Sequence, residues 1–121
     1  MLSLRLPLAV TVVAAAVGLT ATLSSAAPPK LNGTVGSGYT ITLTMGGKKV
    51  TTLKAGTYTF VISDKSSNHS YGLDGPHGFE KDFTSVSFKG TKTFTLTLKK
   101  GKYKYYCGHH ESSMFGYFNV T

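Results

Sequence analysis

The chain has 121 residues, 13 Lys+Arg against 5 Asp+Glu, a single Cys and no Trp. One Cys excludes an intramolecular disulfide, a four-thiolate iron–sulfur cluster and a zinc site built of four thiolates, and the length allows one domain. Only 15% of residues are charged while 12% are aromatic, which excludes a disordered polyelectrolyte.

The first 26 residues read as an address. Met1–Arg5 carries one positive charge, Leu6–Leu23 is uncharged and mostly apolar, and Ser24-Ser25-Ala26 offers small residues at a cleavage site. This is the order of a secretory signal, cut after Ala26; an uncleaved membrane anchor is the alternative, because the apolar run approaches spanning length. Either way the domain works outside the cytoplasm, as a secreted, periplasmic or envelope-associated protein, and with the signal removed no membrane span is left. Every cation after Arg5 is Lys. A nucleic-acid reader relies on Arg for bidentate contacts, so nucleic acid is set aside in favour of an acidic protein, an anionic wall polymer or a lipid surface.

Residues 27–37 read as a Pro/Gly-containing lead-in, and 38–121 as one domain built of strands. Ile41, Leu43 and Met45 alternate with Thr40, Thr42 and Thr44, and Gly46-Gly47 then reads as a tight hairpin turn. The period of two returns at Tyr58, Phe60 and Ile62, at Val86 and Phe88, and at Phe94, Leu96 and Leu98 between Thr93, Thr95 and Thr97. Tyr103, Tyr105 and Cys107 keep it, and Phe118 and Val120 close the chain. No stretch after the signal has helical period, and Thr, Val, Tyr and Phe suit a pleated, half-buried surface. The pattern predicts an all-β sandwich or small barrel of about seven or eight short strands. A core this small is marginal, and with no disulfide a bound metal is one candidate staple.

The chemistry concentrates in two segments. Cys107, His109, His110 and Met114 fall within eight residues, between one strand and the last. Parity puts Cys107 on the inward face at a strand end, Gly108 permits a turn, and the loop returns through His110 and Met114. Such a loop presents a thiolate, an imidazole and a thioether to one point. The fourth donor comes from elsewhere, and His69, in Asp64–Leu73, is the evident one. One thiolate, two imidazoles and a weak thioether suit a single copper ion at a one-electron site. Zinc accepts Cys and His but leaves Met114 unexplained.

The stretch Cys107-Gly-His-His110-Glu-Ser-Ser-Met114, followed by Phe-Gly-Tyr-Phe-Asn-Val, resembles the metal loop and closing strand of the cupredoxins, the blue copper proteins of plastocyanin and azurin type. Asp64–Leu73 is similar to the loop that bears that family's first copper His, and the small exported bacterial cupredoxins are the most similar. The resemblance spans roughly residues 57–121. It implies a Greek-key β-sandwich, a type 1 copper site on His69, Cys107, His110 and Met114, and a monomeric electron carrier, not an enzyme, that docks a redox partner. Two positions depart from the pattern. Gly72 stands where related exported proteins often carry a second His, and His109 stands where Pro is common, which leaves open a register in which His109 binds instead.

The remaining candidates have plainer readings. His77, between Pro76 and Gly78, reads as an exposed loop residue, and Tyr105 and Tyr106 as the core and surface sides of one strand. The Lys residues from 99 to 104 read as a solvated edge that discourages strand addition, or as a docking patch for an acidic redox partner. Asn32 and Asn68 head glycosylation sequons of a kind frequent by chance. Two other functions fit the same chain: a copper-delivery module without a redox role, and a cell-surface sandwich with an inert thiol.

Overall fold

The computed structural model describes residues 26–121 and, before them, residues 3, 9, 11–16 and 18. Most of the expected signal, 1–26, lies outside the described residues. Among those described, no helix is long and apolar enough to cross a membrane.

Among the described residues, ten strands form two five-stranded sheets. The strands are β1 Lys30–Val35, β2 Ile41–Met45, β3 Lys48–Lys49, β4 Thr52–Leu53, β5 Gly56–Asp64, β6 Tyr71–Asp74, β7 Glu80–Thr84, β8 Gly90–Leu98, β9 Gly101–Tyr106 and β10 Phe115–Val120. Two of them, β3 and β4, are only two residues long, so the eight longer strands meet the expected number. The first sheet runs β3-β2-β1-β5-β8 and the second β4-β10-β9-β6-β7. The chain passes repeatedly from one sheet to the other, which gives the expected β-sandwich. Most pairings are antiparallel, but β1–β5 and β10–β4 are parallel.

The alternation seen in the sequence sets the core. On β5, Tyr58, Phe60 and Ile62 are buried, and on β9 and its end so are Tyr103, Tyr105 and Cys107. Each fully buried aliphatic or Phe side chain contributes about 1.5–3 kcal/mol. The rings form a continuous column through Phe94, Phe83, Tyr71, Tyr105, Phe118 and Tyr103, with successive centroids 5.1–6.4 Å apart. Buried tyrosine hydroxyls must find acceptors. Tyr71 donates across the sandwich to the Thr42 carbonyl at 2.8 Å, and Tyr58 donates to the Lys54 carbonyl at 2.7 Å. Gly46 and Gly47 both have positive φ (58° and 79°) between paired Met45 and Lys48. That is the backbone a two-residue hairpin turn needs.

Three segments differ from expectation. Lys30–Val35, read as lead-in, is β1 and lies inside the first sheet, with Leu31 and Val35 fully buried. Val86 and Phe88, read as a strand, lie in the turn after β7, where the Phe88 amide donates to the Ser85 carbonyl at 3.1 Å. The strand is instead Glu80–Thr84, whose charges suit its place at the sheet edge.

Candidate metal centre

Three loops meet at one end of the sandwich. The loop after β5 carries His69, the loop after β9 carries His110 and follows directly on Cys107, and the loop after β1 carries Tyr39.

The His69 loop is held partly by its own bonds, from the Asn68 amide to Ser66 Oγ at 3.1 Å and from the His69 amide to the Ser66 carbonyl at 3.4 Å, and partly from outside. Asp64, buried at the end of β5, accepts from the Ser66 amide at 3.2 Å and from the Thr84 hydroxyl at 2.7 Å. That hydroxyl in turn accepts from the Tyr71 amide at 3.0 Å. One carboxylate thus ties the start of the loop, through β7, to the strand that ends it. The Lys65 amide adds a bond to the Val35 carbonyl at 2.9 Å. A buried charge is tolerated only when so partnered.

The second loop is shaped by its own backbone. The Cys107 amide donates to the Met114 carbonyl at 3.0 Å, the His110 amide to the Cys107 carbonyl at 3.1 Å, and the Met114 amide to the His110 carbonyl at 2.7 Å. Ser70 joins the two loops. Its amide donates to Cys107 Sγ at 3.4 Å, and its Oγ accepts from the Gly108 amide at 2.9 Å.

This frame brings three of the four expected ligands to one point. His69 Nδ1 and His110 Nδ1 are 3.2 Å apart, and each is 3.7 Å from Cys107 Sγ. A point equidistant from the three atoms lies about 2.1 Å from each, close to the metal–nitrogen and metal–sulfur bond lengths of such sites. Among the described residues these form the one group of three or more His, Cys, Asp or Glu side chains able to hold a metal. The donor set mixes a soft thiolate with two imidazoles, the combination that suits copper, and the group can bind one copper ion. Cys107 and His69 are buried, whereas His110 is partly exposed. Met114, the fourth expected ligand, is buried at the return of the loop, its backbone bonded to both Cys107 and His110.

The other candidates fall outside this group. His109 is exposed and lines a cleft with Asp82, Phe83 and Lys92, so the register that used it in place of His110 is not the one the loop adopts. His77 is exposed in the turn Pro76–Gly78. Gly72 faces Tyr106, and a Cβ there would lie 3.0 Å from Tyr106 Cζ, which explains why no second His can stand at that position without moving the ring. Tyr106 donates to Asp74 Oδ1 at 3.0 Å, and burial together with that carboxylate pushes its phenol well above the ordinary value. Lys104 pairs with Glu111 at 2.9 Å, and that contact raises its pKa.

Sequence reasoning missed Tyr39, Ser70 and the Asp64–Thr84 bond. Each acts through partners 20 or more positions away, so no local spacing announces them.

No family model and no curated protein matches the sequence. Solved structures do. Rusticyanin, a copper protein, superposes with a TM-score of 0.53 and 21% identity over 80% of each chain. Reduced rusticyanin gives 0.52 and 22% over 80% of this chain and 81% of that one. A multicopper oxidase from Pediococcus acidilactici gives 0.50 and 15% over 81% of this chain, but over only 27% of its own length. At such identities the likeness is one of fold: the chain has the cupredoxin fold, with a His/Cys/His group consistent with a blue copper protein.

Proposed function

We propose that this protein is an exported type 1 copper protein that carries single electrons, in which His69, Cys107 and His110 would hold the copper and Met114 would add a weak thioether donor. The observation that carries the reading is the convergence of two imidazole nitrogens and one buried thiol sulfur within 4.8 Å of one another. Bound there, copper supplies a one-electron couple between Cu(II) and Cu(I). The chain's part is to hold the donors still. Ser70 fixes the sulfur, Asp64 fixes the loop of His69, and the backbone of 107–114 fixes His110. A frame that does not rearrange between oxidation states lowers the cost of each transfer. His110, the more exposed imidazole, provides the route to a partner. The Lys-rich stretch from 99 to 104 offers an acidic redox partner a complementary surface, and the carrier acts as a monomer. No catalysis is assigned. The signal-like leader, read from sequence, supports an extracytoplasmic location.

Voltammetry of the copper-loaded mature chain tests this. A reversible one-electron wave, with copper retained against a competing chelator in both oxidation states, is expected. Rapid loss in both states would identify a delivery module instead, and failure to bind copper would leave a structural sandwich with an inert thiol.

A further inference from the structure

Tyr39 belongs to no motif, yet its ring packs against both imidazoles. It meets His110 at a centroid distance of 4.9 Å and 88°, and His69 at 5.5 Å and 69°. The two imidazoles meet each other at 5.0 Å and 69°, so the three rings form an edge-packed triad, a favoured aromatic geometry. Exposure differs sharply across it: Tyr39 is 70% exposed and His69 only 4%. The phenol is therefore the outermost layer over a nearly sealed ligand.

The loop beneath the ring is built to lean inward. The Gly36 amide donates to the Thr40 carbonyl at 2.9 Å and closes the loop's base. Gly36 and Gly38 have φ of 73° and 80°, a conformation that glycine adopts without strain. A Cβ on Gly36 would lie 3.0 Å from Ser66 Cβ and 3.5 Å from His69 Cδ2, whereas one on Gly38 would meet nothing within 4 Å. One side of the loop is thus seated on the His69 loop while the other faces open space.

We propose that Tyr39 is a lid on the metal centre: its ring governs how fast metal and small reagents pass between solvent and the His69/Cys107/His110 group. Only the metal half of this statement rests on the copper reading; the shielding of the imidazoles does not. Because the contact is made by the ring, Phe replaces Tyr without loss and Ala opens the site. At 70% exposure neither change threatens the fold, and circular dichroism checks that.

The test has two arms. In the first, wild type, Tyr39→Ala and Tyr39→Phe are loaded with one equivalent of Cu(II), and release to excess EDTA is followed by decay of the visible band. In the second, the metal-free proteins are treated with diethylpyrocarbonate, and modification of His69 and His110 is timed by peptide mass spectrometry. Tyr39→Ala is expected to be about tenfold faster in both arms and Tyr39→Phe within about twofold of wild type, on the scale of two lost ring contacts. Tyr39→Ala matching wild type, or Tyr39→Phe matching Tyr39→Ala, overturns the proposal. If the wild type forms no coloured complex, the copper reading fails, and the metal-free arm still decides whether the ring shields the histidines.

Discussion

The two loops that carry the expected ligands reach the same point with different balances of internal and external support. The loop after β5 contributes one donor, His69, and borrows part of its shape from Asp64, Thr84 and Val35. The loop from Cys107 to Met114 contributes every other expected donor and closes on itself through backbone bonds. The first depends on a buried charge that a single substitution can remove. The second depends mainly on peptide groups that no side-chain change removes, with Ser70 Oγ and Lys104 as its side-chain partners from outside. Damage to the second loop should therefore be chemical and local, and damage to the first should be structural and spread into the sandwich.

The largest effect expected is from Cys107→Ser. It removes the thiolate while the loop's backbone bonds persist, so the intense visible band of the Cu(II) form disappears and the strand-rich circular dichroism stays. A band of unchanged intensity would refute Cys107 as a ligand.

Asp64→Ala attacks the other loop without touching a donor. It strands the buried Thr84 hydroxyl and releases the half-buried Ser66 amide, and leaving a buried polar group unpaired costs about 1–3 kcal/mol. Chemical denaturation should show that loss, and copper affinity should fall as His69 is freed. Unchanged stability would mean that the carboxylate does not hold the loop.

Met114→Leu sharpens the comparison within the second loop. The protein should stay coloured, while its reduction potential rises because a weak donor to Cu(II) is lost. Each tenfold loss of Cu(II) relative to Cu(I) affinity raises it by about 59 mV. A potential that does not move argues against axial ligation.

The smallest effect tests the sandwich under both loops. Burial raises the Tyr71 and Tyr105 phenols above the ordinary 10.0, and the neighbouring Tyr105 adds to the rise at Tyr71. A raised folded value means that the protonated form is the one folding favours. That contribution is complete below pH 10.0 and is lost as pH climbs from there toward the folded values. Melting temperature should thus hold steady up to about pH 10 and fall beyond it. A flat profile through that range would contradict the buried-phenol account.

What the sequence discloses follows the same division. Cys107 and His110 are legible because their chemistry is packed into one short loop, and the parity of Tyr103, Tyr105 and Cys107 already aims the thiol inward. His69 is legible mainly through the family likeness, since one His among Ser and Asn carries no pattern of its own. The Asp64 clamp and Tyr39 are out of reach because they exist only once β1, β5 and β7 are folded together. Among strands, β5 and β9 are plain from alternation over a buried face. β1 is hidden behind Pro28 and Pro29, with Gly33 breaking its apolar parity, and β7 is hidden by Glu80, Lys81 and Asp82. An edge strand has little need of an apolar signature.

The most direct test of the metal centre is the absorption spectrum of the mature chain titrated with Cu(II). One equivalent should produce an intense visible thiolate-to-copper band that saturates at that ratio. A weak, non-saturating or absent band would mean that His69, Cys107 and His110 do not bind copper together.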